Sequence, residues 1–165
     1  MDWLTEVVPD RNVRVAVPGA CSQGTWNESV SRPLMLLTLD GTGRPTAVAV
    51  KANGTYVSAT NPAEVNEDIR VFVTGLGQAS PFITTNTPGT GNQRVNGSVI
   101  VGVNNEGISA RFEDTIYAPT LIGVYIVTFR LPANTTPGLN RPFVVAVQAP
   151  DGSFSYSQSA VIDIR

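Results

Sequence analysis

Between Ile69 and Arg165 apolar residues return at every second position, in short runs broken by Gly, Pro, Asn and Asp, and no stretch sustains a helical period. Side chains on an extended chain point alternately to opposite faces, so this pattern asks for strands with one buried face. The strongest run is Ile69, Val71 and Val73. It is entered through Asn61-Pro62-Ala63 and left through Gly75-Leu76-Gly77, where glycine lets the backbone depart from the sheet. Val99, Val101 and Val103 repeat the pattern. So do Tyr125, Val127, Phe129 and Leu131 ahead of Pro132, then Phe143, Val145 and Val147, then Phe154 and Tyr156, then Ile162 and Ile164. Each such side chain contributes about 1.5–3 kcal/mol when fully buried, so four or five facing strands supply a stable core. Short strands with frequent turn signals predict an all-β sandwich or barrel.

The connections are legible in part. Asn53-Gly54 predicts a type I′ hairpin between Thr46–Ala52 and Thr55–Ser58, and Asn105-Glu106-Gly107 predicts a second hairpin that returns through Ile108, Ala110 and Phe112. The run Leu34-Met35-Leu36-Leu37 fits either a strand buried on both faces or a helical turn. Residues 78–95 form a long polar segment rich in Ser, Pro, Thr, Asn and Gly, a length that belongs to binding loops or mobile ones. Tyr125, two positions before Val127, reads either as a tyrosine corner or as an ordinary buried strand tyrosine.

The N-terminal part is a separate problem. Trp3, Leu4, Val7 and Val8 fit a short helical turn or an extended arm, and Val13, Val15 and Val17 alternate up to Pro18. Val13 to Pro18, Gly24-Thr25-Trp26, Leu34 and Leu36 parallel Val127 to Pro132, Gly152-Ser153-Phe154, Ile162 and Ile164. On this reading residues 1–32 are an arm with strands, the remnant of a preceding sandwich repeat, and residues 33–165 are the complete domain.

Charge and residue type narrow the chemistry. Eleven basic and thirteen acidic residues give a net charge of -2, which offers no footprint for nucleic acid or an anionic membrane. No apolar run is long enough for a membrane-spanning helix, and the first residues lack a charged-then-apolar signal peptide, so export implies a mature fragment. The chain has no histidine, which removes the usual general base and metal ligand, and its single cysteine, Cys21, has no partner for an internal disulfide. Gly75-Leu76-Gly77 lacks the lysine and helix of a phosphate loop, and Asp40-Gly41-Thr42-Gly43 has the wrong order for an aspartic-protease loop. Calcium ligands are available at Asp40, Asn53 and Asp114 but without the alternation of a dedicated loop. Glu64, Glu67, Asp68, Glu113 and Asp114 are the carboxylates that an acid–base pair would need; their loop-edge positions without flanking aromatics read as solvated turns. No catalytic residue, metal site or cofactor is expected. Among Trp26, Tyr56, Phe82, Tyr117 and Tyr156, a sugar-stacking surface competes with ordinary strand packing. Phe82, set in the polar segment, and Trp26 are the candidate binding residues.

Asn61-Pro62-Ala63, Ile69 through Gly77, Ala118-Pro119, Gly123 through Val127, Leu131-Pro132-Ala133, Pro142 through Val145 and Val161 through Ile164 together resemble a bacterial C-terminal domain family. It is abundant in Solibacter and other acidobacteria and carries no assigned function. The resemblance runs from about Pro33 to the C-terminus, with Thr74-Gly75-Leu76-Gly77 its most specific part. Asp151-Gly152-Ser153-Phe154 stands where the family commonly has a Gly-Gly turn. The resemblance implies an immunoglobulin-like β-sandwich of antiparallel strands, of the IPT/TIG kind, at the end of a large secreted or surface protein. It brings no catalytic residues. The expected role is a non-enzymatic extracellular module that spaces, caps or docks neighbouring domains of the same or an adjacent surface protein. The alternatives are a carbohydrate- or ligand-binding module and, third, a carboxylate-pair enzyme.

Overall fold

A computed structural model describes residues 34–39, 45–111, 114–148 and 151–165. Residues 1–32, with Cys21, Trp26 and the proposed repeat remnant, lie outside the described residues, as does Asp40 through Gly43. The described chain is built of strands. They begin with β1 (Met35–Leu36), β2 (Thr38–Leu39), β3 (Thr46–Ala47), β4 (Ala49–Lys51) and β5 (Asp68–Thr74). Next come β6 (Ala79–Ser80), β7 (Arg94–Val95), β8 (Ser98–Val103), β9 (Glu106–Ser109) and β10 (Ile116–Tyr117). The last are β11 (Val124–Arg130), β12 (Gly138–Gln148), β13 (Phe154–Tyr156) and β14 (Ala160–Ile164).

Two sheets result. In the first, β1 and β4 share one side of β5, and β11, β10, β7 and β6 follow on the other. In the second the order is β2-β3-β14-β12-β8-β9, with β13 taking the part of the β12 edge that β14 leaves open. Every ladder is antiparallel except β14 with β3, which pair in parallel at Val161 and Thr46, so the second sheet is mixed.

The first sheet is centred on β5 and β11, paired from Asp68 opposite Arg130 to Thr74 opposite Val124. Directly opposed residues share a face, which sets Ile69 against Phe129 and Val71 against Val127. All four are fully buried. The second sheet answers with Val101 opposite Val145 and Val103 opposite Phe143, again fully or almost fully buried. These inner faces form one core, and the Phe129 and Phe143 rings meet across it with centroids 5.8 Å apart. The period-two apolar positions of the sequence are therefore the inner faces of two packed layers, in a sandwich-like all-β fold.

Residues 34–39 and 45–51 are shared between the two sheets. The chain passes from β1 in the first sheet to β2 in the second through Leu37, and back from β3 to β4 through Val48. Val48 N–H donates to the Leu37 carbonyl at 2.9 Å where the two crossings meet. Leu34 and Leu36 are buried while Met35 is exposed, so the apolar run is a one-faced strand, neither doubly buried nor helical. On the side of β1 away from β5, the Gln158 amide bonds both backbone groups of Leu36: Leu36 N–H donates to Oε1 at 2.9 Å, and Nε2 donates to the Leu36 carbonyl.

Both hairpins form, but the type I′ turn expected at Asn53-Gly54 is not there and the second turn falls one residue earlier than Asn105-Glu106-Gly107. At Asn53-Gly54 only Gly54 has positive φ, and Lys51 carbonyl accepts from Gly54 N–H at 2.9 Å. A three-residue connection with a glycine bulge replaces the two-residue type I′ turn, because the Asn53 side chain accepts from Thr55 N–H and holds Asn53 out of the left-handed region. The two-residue turn occurs instead at Asn104-Asn105, where both residues have positive φ between paired Val103 and Glu106.

Replacing Phe129 by Ala removes the ring that bridges the layers and leaves a cavity, and equilibrium urea unfolding should register a loss of about 3–5 kcal/mol. A loss below about 1 kcal/mol would mean that the two layers do not share this core.

Candidate functional site

Of the candidate carboxylates, Glu64, Glu67, Asp68 and Asp114 each lie near a cation, and Glu113 lies outside the described residues. Glu64 bonds Arg165, Glu67 Oε2 lies 3.3 Å from Lys51 Nζ, and Asp68 Oδ2 lies 3.2 Å from Arg111. Asp114 is 3.8 Å from Arg111, and Asp68 Oδ1, which accepts no hydrogen bond, has Arg130 at 4.0 Å. The Arg165 guanidinium, first by hydrogen bond and then by charge, holds the Glu64 carboxyl below its ordinary 4.5, the opposite of what a proton donor at neutral pH requires. Among the described residues no cluster of Cys, Asp and Glu has the arrangement of a metal site.

Lys51, the chain's only lysine, occupies a core-facing position of β4 and is 5% exposed. Its aliphatic stem fills that place between Ala49 and the start of β5 while the amine reaches Glu67, whose Oε2 also accepts from Glu64 N–H at 3.0 Å. This group closes the loop before β5.

The segment 78–95 is an ordered excursion. Its base is closed by Ala79 opposite Val95 and Ser80 opposite Arg94, and its far part lies against residues 117–121 through a bridge from Gly89 to Pro119. A side chain at Gly89 would stand 2.4 Å from the Ala118 carbonyl oxygen, so the contact requires glycine. Tyr117 and Tyr125 meet edge to face with centroids 5.0 Å apart and anchor this end. Tyr125 hydroxyl donates to the Gly77 carbonyl at 2.5 Å, tying β11 to the exit of β5. The bond that a tyrosine corner would make near Gly123 is made by Tyr117, whose hydroxyl accepts from Gly123 N–H. Phe82, in this segment, is 78% exposed, and Trp26 lies outside the described residues. The two candidate binding residues are thus not brought together in the described structure.

A different pair of aromatics is. Phe154 and Tyr156 alternate with serines on β13, stand on the outer face of the second sheet, and are 41% and 64% exposed. Their ring centroids are 6.2 Å apart and their planes differ by 33°. The turn before them is fixed by Asp151, whose Oδ1 accepts from Ser153 N–H at 2.9 Å and from Ser153 Oγ at 2.6 Å; those bonds hold its carboxyl below the ordinary range. On the neighbouring strands the register sets Phe154 beside Gln148 and Ser98, and Tyr156 beside Ala146 and Ile100. An open depression of about 290 Å³ is bordered by Ser98, Ile100, Ser109, Thr115 and Gln148.

No family model, curated protein or solved structure matches the chain.

Two outcomes test the charge arrangement. Lys51→Ala leaves Glu67 half-buried without its cation and should cost about 2–4 kcal/mol in urea unfolding, whereas Lys51→Met, which keeps the stem, should cost clearly less. Equal losses would show that the buried stem contributes nothing and that the whole effect lies in the ammonium; no loss in Lys51→Met would show that the ammonium has no part. The Glu64 contact stabilises the fold above the unfolded value of 4.5 and loses that contribution as pH falls through the lowered folded value. In Arg165→Ala, carboxyl-detected NMR titration should therefore show Glu64 moving back up toward 4.5; an unchanged midpoint would refute the assignment.

Proposed function

We propose that the chain is a non-enzymatic, immunoglobulin-like β-sandwich module of a secreted or surface protein, acting as a structural, spacer or interaction domain toward neighbouring domains. The observation that carries this reading is the condition of its acids. Glu64, Glu67, Asp68 and Asp114 each have a cation within 4.0 Å, Asp68 and Asp114 sharing Arg111 between them, so that these acids are committed to holding loops. A hydrolytic pair needs one carboxyl kept protonated and the other free, at a spacing of about 5–9.5 Å across a cleft.

The immunoglobulin-like assignment is supported by strand order. From β5, and after the short β6 and β7 at the far edge of the first sheet, the chain crosses to β8 and β9 in the second, returns to β10 and to β11, which pairs with β5, and crosses again to β12 beside β8. The final strand β14 lies beside β12 and parallel to the early strand β3. This alternation between the sheets agrees with the Greek-key connections of that fold. An extracellular setting agrees with the low charged fraction of 15% and with the resemblance to surface-protein domains. Neither nucleic acid nor membrane insertion belongs to this reading.

A second reading, carbohydrate or ligand binding, is favoured by one observation: Phe154 and Tyr156 are exposed and adjacent, their planes tilted by 33°. The first reading is tested with the purified chain on chromogenic glycoside, ester and peptide substrates. Turnover should not exceed the buffer rate, and Glu67→Gln and Asp68→Asn should behave as the parent does. Turnover abolished by either substitution would replace the module with a hydrolase.

A further inference from the structure

We propose that Phe154 and Tyr156, with the uncharged trough beside them, bind a neutral oligosaccharide. The proposal rests on the second reading above and gives it a place and a ligand class. Two rings at alternate positions of one strand face the same way, and a separation of 6.2 Å lets each lie under a successive sugar ring of one chain. A pyranose offers an apolar C–H face to an aromatic ring and a rim of hydroxyls to polar groups, so it needs both kinds of surface side by side.

Both are present. The rung that carries Phe154 continues through Gln148 to Ser98, and the rung that carries Tyr156 continues through Ala146 and Ile100 to Ser109. The Gln148 amide and the Ser98 and Ser109 hydroxyls can each donate and accept, the capability needed to match sugar hydroxyls that do the same. The depression takes in the Gln148, Ser98, Ile100 and Ser109 part of these rungs, reached from the rings past Gln148, and is bordered by no ionisable side chain. That neutrality selects the ligand. A nucleic acid would stack on the same rings but requires a basic groove for its phosphates, and a uronic-acid polymer would gain no ion pair. Because the trough is open, it suits internal units of a linear chain.

The full chain is run in affinity electrophoresis through hydroxyethylcellulose, xyloglucan, laminarin and dextran as neutral probes, and polygalacturonate and alginate as acidic ones. At least one neutral polymer should retard it. Phe154→Ala and Tyr156→Ala should each weaken that binding roughly tenfold, the scale of losing one stacked ring elsewhere. Gln148→Ala should weaken it less, and Leu139→Ala, an exposed apolar residue of β12 outside the trough, should leave it unchanged. Thermal melts confirm that each variant folds. If a neutral polymer binds and both aromatic variants bind it as well as the parent, or if Phe82→Ala or Trp26→Ala abolishes binding in their place, the site is overturned while the carbohydrate reading stands. Retardation by the acidic polymers alone overturns the ligand class. No retardation by any polymer overturns the site and the carbohydrate reading together.

Discussion

The fold depends on a single geometrical condition, that the ladder of β5 with β11 keeps Ile69, Val71, Val127 and Phe129 on one face and that this face meets Val101, Val103, Phe143 and Val145. Because strand side chains alternate strictly, a slip of one residue in either ladder would turn the whole apolar set outward. Register and core are therefore one requirement. The tyrosines extend it to the sheet's end, where the Tyr125 hydroxyl fixes the exit of β5 and Tyr117 fixes the turn into β11. The loops are positioned by the ladder and do not position it.

Charge has a local role. Few ionisable groups are available, and those described near the loops are used to close chain segments on one another: Lys51 with Glu67 before β5, Arg165 with Glu64 at the C-terminus, and Arg111 with Asp68 beside Asp114. The Lys51 pair is the informative one, because a long side chain can line the core and still bring its amine to the rim. An Arg would need room for a planar fork at that place.

Much of the fold was legible in the sequence, and the reasons are specific. Val99, Val101 and Val103, or Phe143 and Val145, can satisfy a period of two only as strands with one face inward, and they do so. Turn type was less legible, because Asn53 resolves its hydrogen bonding through its own side chain and Asn104-Asn105 through the backbone, a choice that neighbouring residues decide. The crossings at Leu37 and Val48 were not legible at all. A run of four apolar residues says that burial occurs, but which sheet receives each half depends on partners more than thirty residues away in β5 and at the other end of the chain in β14. The outer face was read only in part. Phe154 and Tyr156 were assigned to one face of a short strand, but periodicity does not say whether an apolar face looks in or out. That follows from β13 lying beyond β14 on the β12 edge, with Tyr156 opposite Ala146.

The Gln158 amide on Leu36 has one further consequence. A short strand at the margin of a sheet presents bare N–H and C=O groups that another chain can use as a template, the usual route to edge-to-edge aggregation. On β1 the outward pair belongs to Leu36, and both groups are already occupied by a side chain from the opposite layer. One glutamine thus takes the place of a neighbouring strand and leaves that margin with nothing to offer a second molecule.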